Sequence, residues 1–317
     1  MDKTISPNLR TFLCATDFSA SAVAATGRAG RLAQACGGKL ELMHVIPLRA
    51  TPVYRISRWQ KDRHDVAAEA MAKLQGMVEK VQATFRVPVA AHLALGVPHA
   101  RIAARADATG ARLVVVGSQG QRSVRDMFIG STAYELRRML RVPLLIARNR
   151  STRMYERVLV AIDFSGASAA AAHAAANLFP DAALHFLHVC SPLFESRLAM
   201  ADGGMDAARL YRGQELLIGG RELESFIDNG GLPRHRVSAL VQHGYPPARI
   251  RQAAAELGAT VVAFGTEGRS RLATLIGGVG AEFLRDSAQD VLFAKAPASA
   301  LHDRSPDVRT PRETVVA

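Results

Sequence analysis

Lysine is missing where phosphate chemistry would want it: none occurs between Lys80 and Lys295. The chain carries no G-x-x-x-x-G-K-[ST] loop and no S-G-G-x-D-S loop, which excludes the two commonest glycine-rich routes to fast phosphoryl chemistry. Cysteine is scarce too. Cys14, Cys36 and Cys190 form no C-x-x-C pair, so a disulfide framework or zinc site is disfavoured and a reducing cytoplasm is expected. No apolar run is long enough to span a bilayer, and the polar opening from Met1 to Arg10 does not read as a signal peptide. We therefore expect a cytoplasmic protein with no membrane partner. Aromatics make up only 6% of the chain, with a single Trp. The net charge of +12 is carried by scattered arginines without an aromatic-studded basic motif, so no specific nucleic-acid partner is expected.

What is present is an ordinary globular composition, 49% hydrophobic and 21% charged, over 317 residues, which suits two domains of about 150 residues each. The most informative stretch is Val114-Val115-Val116-Gly117-Ser118-Gln119-Gly120, followed nine residues later by Gly130-Ser131-Thr132. A β-branched run ending at glycine reads as a buried parallel strand. Gly120 and Gly130 can adopt φ > 0 and let the backbone approach a ligand. Ser131, Thr132 and Glu135, ahead of Leu136, Met139 and Leu140, read as the start of an amphipathic helix, with Thr132 and Glu135 spaced as a capping box. A glycine loop ending in a helix N-terminus offers free N–H groups and the positive end of a dipole, so it suits a phosphate.

Taken in order, the chain alternates strand and helix. Arg10 to Thr16 reads as a strand closing on Asp17-Phe18-Ser19, then a small-residue helix runs to Gly37-Gly38, and Lys39 to Ile46 is a second strand. Leu48 to Arg58 is turn-like, Asp62 to Phe85 helical, Pro88 to Leu95 a strand, Ala100 to Thr109 a helix, and Val142 to Ala147 a fifth strand after the glycine loop. This alternation implies a mostly parallel sheet covered on both faces.

The pattern then repeats. Asp163-Phe164-Ser165 echoes Asp17-Phe18-Ser19 at an offset of 146 (163 − 17), His188-Val189 echoes His44-Val45 at 144 (188 − 44), and Gly265 echoes Gly117 at 148 (265 − 117). Offsets so nearly constant mark an internal duplication. We expect domain one over 1–150, domain two over 151–296 with its last strand from Asp290 to Ala296, and a disordered tail over 297–317.

The spacing G-x-x-G, nine residues, G-[S/T], matched by Gly117, Gly120, Gly130 and Ser131, resembles the nucleotide-binding signature of the universal stress protein family, and both copies together resemble a tandem member. The resemblance implies an α/β fold of two open parallel sheets with helices on both faces, adenine nucleotide alpha hydrolase-like and Rossmann-like, each with strand order 3-2-1-4-5. It implies ATP, with or without magnesium, across the ends of strands one and four, where a doubly wound sheet has its switch point. Thr16 and Asp17 would meet the adenine or ribose edge and the Val45 backbone the adenine. Gly117, Gly120, Gly130, Ser131 and Thr132 would hold ribose and phosphates. It also implies fifth strands meeting across a two-fold axis, hence an intramolecular pseudo-dimer with room for a homodimer. The function implied is an ATP-binding regulatory protein of the stress response with an unnamed protein partner. A slow ATPase and a nucleotide-free scaffold are the alternatives, and fast catalysis is not expected.

Each residue has a plainer reading. Asp17 can cap the first helix, Gly117 and Gly120 can be structural turns, and His44 and His188 read as satisfied core histidines. Arg122, Arg125 and Asp126 lie in the loop as solvated charges or as phosphate and metal contacts. The second copy keeps Asp163, Val189, Gly265, Gly268 and Gly278, but Val279 replaces Ser131, Gly280 replaces Thr132, and Glu267 replaces Gln119. A lost hydroxyl and a gained carboxylate predict a weak or silent second nucleotide site.

Overall fold

The computed structural model describes residues 10–47, 56–118, 130–148, 153–191, 204–266 and 278–296. The first half runs β1 (Thr11–Ala15), α1 (Ala20–Ala35), β2 (Lys39–Pro47), α2 (Ile56–Phe85), β3 (Val89–Gly96), α3 (Pro98–Thr109), β4 (Leu113–Gly117), α4 (Ser131–Met139) and β5 (Leu144–Ala147). The second runs β6 (Arg157–Ile162), α5 (Gly166–Leu178), β7 (Ala183–Cys190), α6 (Gly204–Asn229), β8 (Val237–His243), α7 (Pro246–Glu256), β9 (Val261–Gly265), α8 (Gly278–Asp286) and β10 (Asp290–Ala294). The helix before β3 begins at Ile56, earlier than its periodicity suggested, inside the stretch expected to be a turn.

Each half follows the order 3-2-1-4-5. The two sheets are joined, however, into one ten-stranded sheet, β3-β2-β1-β4-β5-β10-β9-β6-β7-β8. Every pairing is parallel except the central one, where β5 and β10 run antiparallel with Leu145 opposite Leu292. The fifth strands satisfy each other's ladder groups, which removes two apolar edges from solvent and makes the chain its own pseudo-dimer.

Alternation sorts the strand residues to two faces. Phe12, Cys14, Val115 and Leu292 pack on one face with Leu74 and Val78 of α2 and Leu223 and Ile227 of α6. Leu13, Val114, Val116 and Phe293 pack on the other with Ile102 of α3, Leu136 of α4, Ile250 of α7 and Leu284 of α8. Both cores run through both halves. Alanines at 22, 25, 29 and 33 bring α1 close to the sheet, and Ala167, Ala171, Ala172 and Ala175 do the same for α5.

One polar cluster ties the halves together. Arg28 of α1, 2% exposed, faces fully buried Asp290 at the start of β10, with Nε 3.1 Å from Oδ2. That Nε lacks hydrogen-bond alignment, so the attraction is coulombic. The Tyr155 hydroxyl donates to the same carboxylate, the Arg148 N–H donates to Oδ1 at 2.7 Å, and the Arg28 guanidinium lies 4.2 Å over the Tyr155 ring. Ala174 corresponds to Arg28 at the repeat offset, and the ladder register makes Pro143 the counterpart of Asp290. The two-fold relation of the halves is therefore broken at this contact.

Candidate functional site

Because β1, β2 and β4 are parallel neighbours, their C-terminal ends share one edge of the sheet. β1 pairs with β2 on one side and β4 on the other, so Asp17 and Gly117 flank the switch point. The turn after β1 is built tightly. The Thr16 N–H donates to the Met43 carbonyl at 2.8 Å, and buried Thr16 Oγ1 accepts the Phe18 N–H at 3.0 Å. Phe18 sits at φ 65°, an outlier for a bulky side chain. Its ring lies 4.4 Å from that of His44, whose Nδ1 bonds the Thr16 carbonyl at 2.7 Å. Asp17 Oδ1 accepts the Ser19 N–H at 3.0 Å, and Ser19 caps α1 through the Ala22 N–H.

The second half repeats this turn: Phe164 at φ 59°, His188 Nδ1 on the Ile162 carbonyl at 2.9 Å, and Asp163 Oδ1 on the Ser165 N–H at 3.1 Å. Sequence reasoning saw the repeated D-F-S and H-V pairs without seeing that each phenylalanine is held left-handed against its histidine. Both histidines satisfy Nδ1 within the turn while staying half-buried, and His188 also lines the second-half cleft. The two aspartates each spend Oδ1 on the helix entry.

Gly117 has a packing reason of its own: a Cβ there would lie 2.8 Å from Ser21 Oγ and 2.9 Å from Ala22 N. Gly265 is tighter still, 2.5 Å from the Ala167 carbonyl carbon. Ser118 donates its N–H to the Ala147 carbonyl and accepts the Gly130 N–H, each at 3.0 Å, so the two ends of the glycine segment meet at one carbonyl. Gly120, Gly268, Arg122, Arg125, Asp126, Glu267 and the tail 297–317 lie outside the described residues.

The expected capping box does not form. Gly130 takes the N-cap position of α4, at φ −59° and not in the left-handed region, and no side chain caps the helix. Thr132 is thus inside the first turn, too late to bond forward to Glu135 as a cap. The consequence is an open helix N-terminus with an exposed Ser131 beside the switch point. In the second half the corresponding Gly278 sits at φ 58°, a conformation that favours glycine.

Asp163, Val189, Gly265 and Gly278 all line one cleft of about 520 Å³. Its walls are mostly apolar, and Thr266, Glu222 and Arg137 also line it, the last reaching in from α4 of the first half. Val45, the counterpart of Val189, is buried in β2. Among the described residues no group of three His, Cys, Asp or Glu side chains is placed to hold a metal, and no helix is long and apolar enough to cross a membrane.

Comparison with known proteins gives a consistent result. The Universal stress protein family matches twice, over residues 8–148 and 154–295. No curated protein matches by sequence. A universal stress protein from Archaeoglobus fulgidus superimposes with a TM-score of 0.62 at 20% identity, covering 91% of this chain and 97% of its own. A functionally unknown protein from Pseudomonas aeruginosa gives 0.56 at 17% identity, covering 93% and 95%. At such identities these likenesses are of fold.

Proposed function

Since the chain belongs to the universal stress protein family in both halves, we propose that it is a nucleotide-binding regulatory protein whose first half holds ATP. The observation that carries this reading is the open N-terminus of α4, with Ser131 and Thr132 in its first turn, at the edge where Asp17 and Gly117 flank the switch point. Donors at such a terminus are aimed at an anion and assisted by the helix dipole. In this reading the Asp17 carboxylate and the Val45 main chain meet the nucleoside, and the main chain at Gly117, Gly120 and Gly130, with the Ser131 and Thr132 hydroxyls, holds the phosphates. No residue is assigned a catalytic role. The three free cysteines fit a reducing cytoplasm.

A nucleotide-free scaffold takes its support from Gly117 and Gly265, whose missing side chains are explained by packing alone. The test must therefore avoid those glycines. Replacing Ser131 by Val and Thr132 by Gly installs the second half's residues on the first half's helix. A hydrogen bond to a charged group contributes about 1.5–3 kcal/mol, so ATP affinity measured by titration calorimetry should fall by about tenfold to hundredfold. Unchanged affinity in a folded S131V/T132G protein would move the phosphates elsewhere, and an absence of binding in the parent chain would leave the scaffold.

A further inference from the structure

The cleft of the second half is a rebuilt site and not a faded copy. At an offset of 148, Val279 stands for Ser131, Gly280 for Thr132, Phe283 for Glu135 and Phe264 for Val116; in the ladder Val116 lies beside Ile146 and Phe264 beside Phe293, so Phe293 stands for Ile146. Three of these changes assemble an aromatic cluster: the Phe264 ring lies 5.2 Å from Phe283 and 6.1 Å from Phe293. Gly280 belongs to the same change, because a Cβ there would come within 2.8 Å of the Phe293 ring and 3.1 Å of Phe264. The rings occupy the space that a threonine at position 280 would need.

A cation enters this wall from the other half. Arg137 of α4 lies 5.6 Å from the Phe293 ring centroid and 5.6 Å from that of Tyr134, and it lines the cleft. It is half-buried and, among the described residues, has no carboxylate at ion-pair distance. Burial pushes its guanidinium down from the ordinary value while Tyr134 supports the charge and Arg138 opposes it; an arginine remains charged regardless. The hydroxyl of Thr266, also in the lining, is buried without a hydrogen-bond partner among the described residues. Two carboxylates, Asp163 and Glu222, share the lining. One cation against two acids disfavours a polyphosphate, and Arg137, standing on the aromatic wall, is the group that can meet a negative charge.

We propose that this cleft is a composite site for an apolar, ring-bearing small molecule with a single anionic group, the anion being met by Arg137 of the first half and the rings by Phe264 and Phe293 of the second. At about 520 Å³ the cleft falls among small-molecule sites. Its ligand would touch both halves of the chain at once.

The probes are 8-anilinonaphthalene-1-sulfonate, an apolar monoanion, and N-phenyl-1-naphthylamine, its uncharged relative, followed by fluorescence on the full-length chain. R137M should weaken the sulfonate by about tenfold or more and change the uncharged probe by less than about twofold. V189W, which fills the cleft from the end of β7, should abolish both. Unchanged sulfonate affinity in R137M, or full binding of both probes to V189W, overturns the proposal. ATP titration of the same R137M protein keeps the two readings apart: first-half nucleotide binding should survive, and its absence in the parent chain would leave the probe results standing.

Discussion

Replacing Asp290 with Ala should destabilise the whole chain, because three groups from different elements converge on that carboxylate. Removing it leaves Arg28, 2% exposed, without its counter-ion. It also strips the acceptor from the Tyr155 hydroxyl and from the Arg148 N–H. Breaking one partner out of a buried pair typically costs about 3–5 kcal/mol. With a urea slope near 3 kcal/mol/M, the midpoint should fall by roughly 1–1.7 M, read by far-UV circular dichroism. Removing both charges should be far milder: in R28M/D290N the amide oxygen still accepts from Arg148, methionine fills the aliphatic volume, and no ion is stranded. The double variant should recover most of the loss, and with the single variants R28M and D290N it should give a coupling of about 2 kcal/mol or more in the cycle. A D290A protein within about 1 kcal/mol of the parent, or a double variant no better than D290A, would refute the assignment of this cluster as the tie between the halves.

Two further expectations follow from other parts of the fold. Gly265→Ala should cost about 1–3 kcal/mol by overpacking, since its Cβ would meet the Ala167 carbonyl carbon at 2.5 Å, whereas Gly213→Ala, with open space around it in α6, should stabilise by about 0.5–1 kcal/mol; thermal midpoints compare the pair. His185 is held below its ordinary value of 6.5, first by burial and then by Arg157. The unfolded chain therefore takes the proton more readily, so this contribution is full above 6.5 and is lost as pH falls from there towards the folded value. The slope of stability between about pH 7.5 and pH 5 should flatten in His185→Gln; an identical slope would show that the ring is not the source.

Much of the architecture was readable because it rests on local periodicity and on repetition. The run Val114 to Val116 reads as buried because it is apolar on both faces, and the structure puts Val115 under α1 and α2 and its neighbours under α3 and α4. The duplication was visible in the repeated D-F-S and H-V pairs and in the glycine spacing. What escaped is non-local or locally unfavourable. A buried arginine looks like any surface arginine, and Asp290 lies 262 residues (290 − 28) beyond Arg28, so nothing in either neighbourhood announces their pairing. Arg137 likewise reads as one more solvated cation on an amphipathic helix until the antiparallel β5–β10 seam turns it toward the other half. The capping box failed because Gly130, needing no side chain, started the helix two residues before Thr132. Left-handed Phe18 runs against the preference of a bulky residue, and its packing on His44 together with the bond from its N–H to Thr16 Oγ1 holds it there.

Within the site, the sequence separates the halves more sharply than the backbone does. Both keep the turn after the first strand and the glycine ending the fourth, while the start of the following helix is hydroxyl-bearing in one and aromatic-backed in the other. The difference is one of side-chain chemistry together with the turn into that helix, where Gly130 has φ −59° and Gly278 φ 58°.

That division is tested most directly by counting nucleotide on the nucleotide-free chain. Calorimetric titration with ATP and magnesium should give one site per chain, lost in S131V/T132G and retained in V189W. Two equal sites, or a single site that disappears with V189W and survives S131V/T132G, would contradict it.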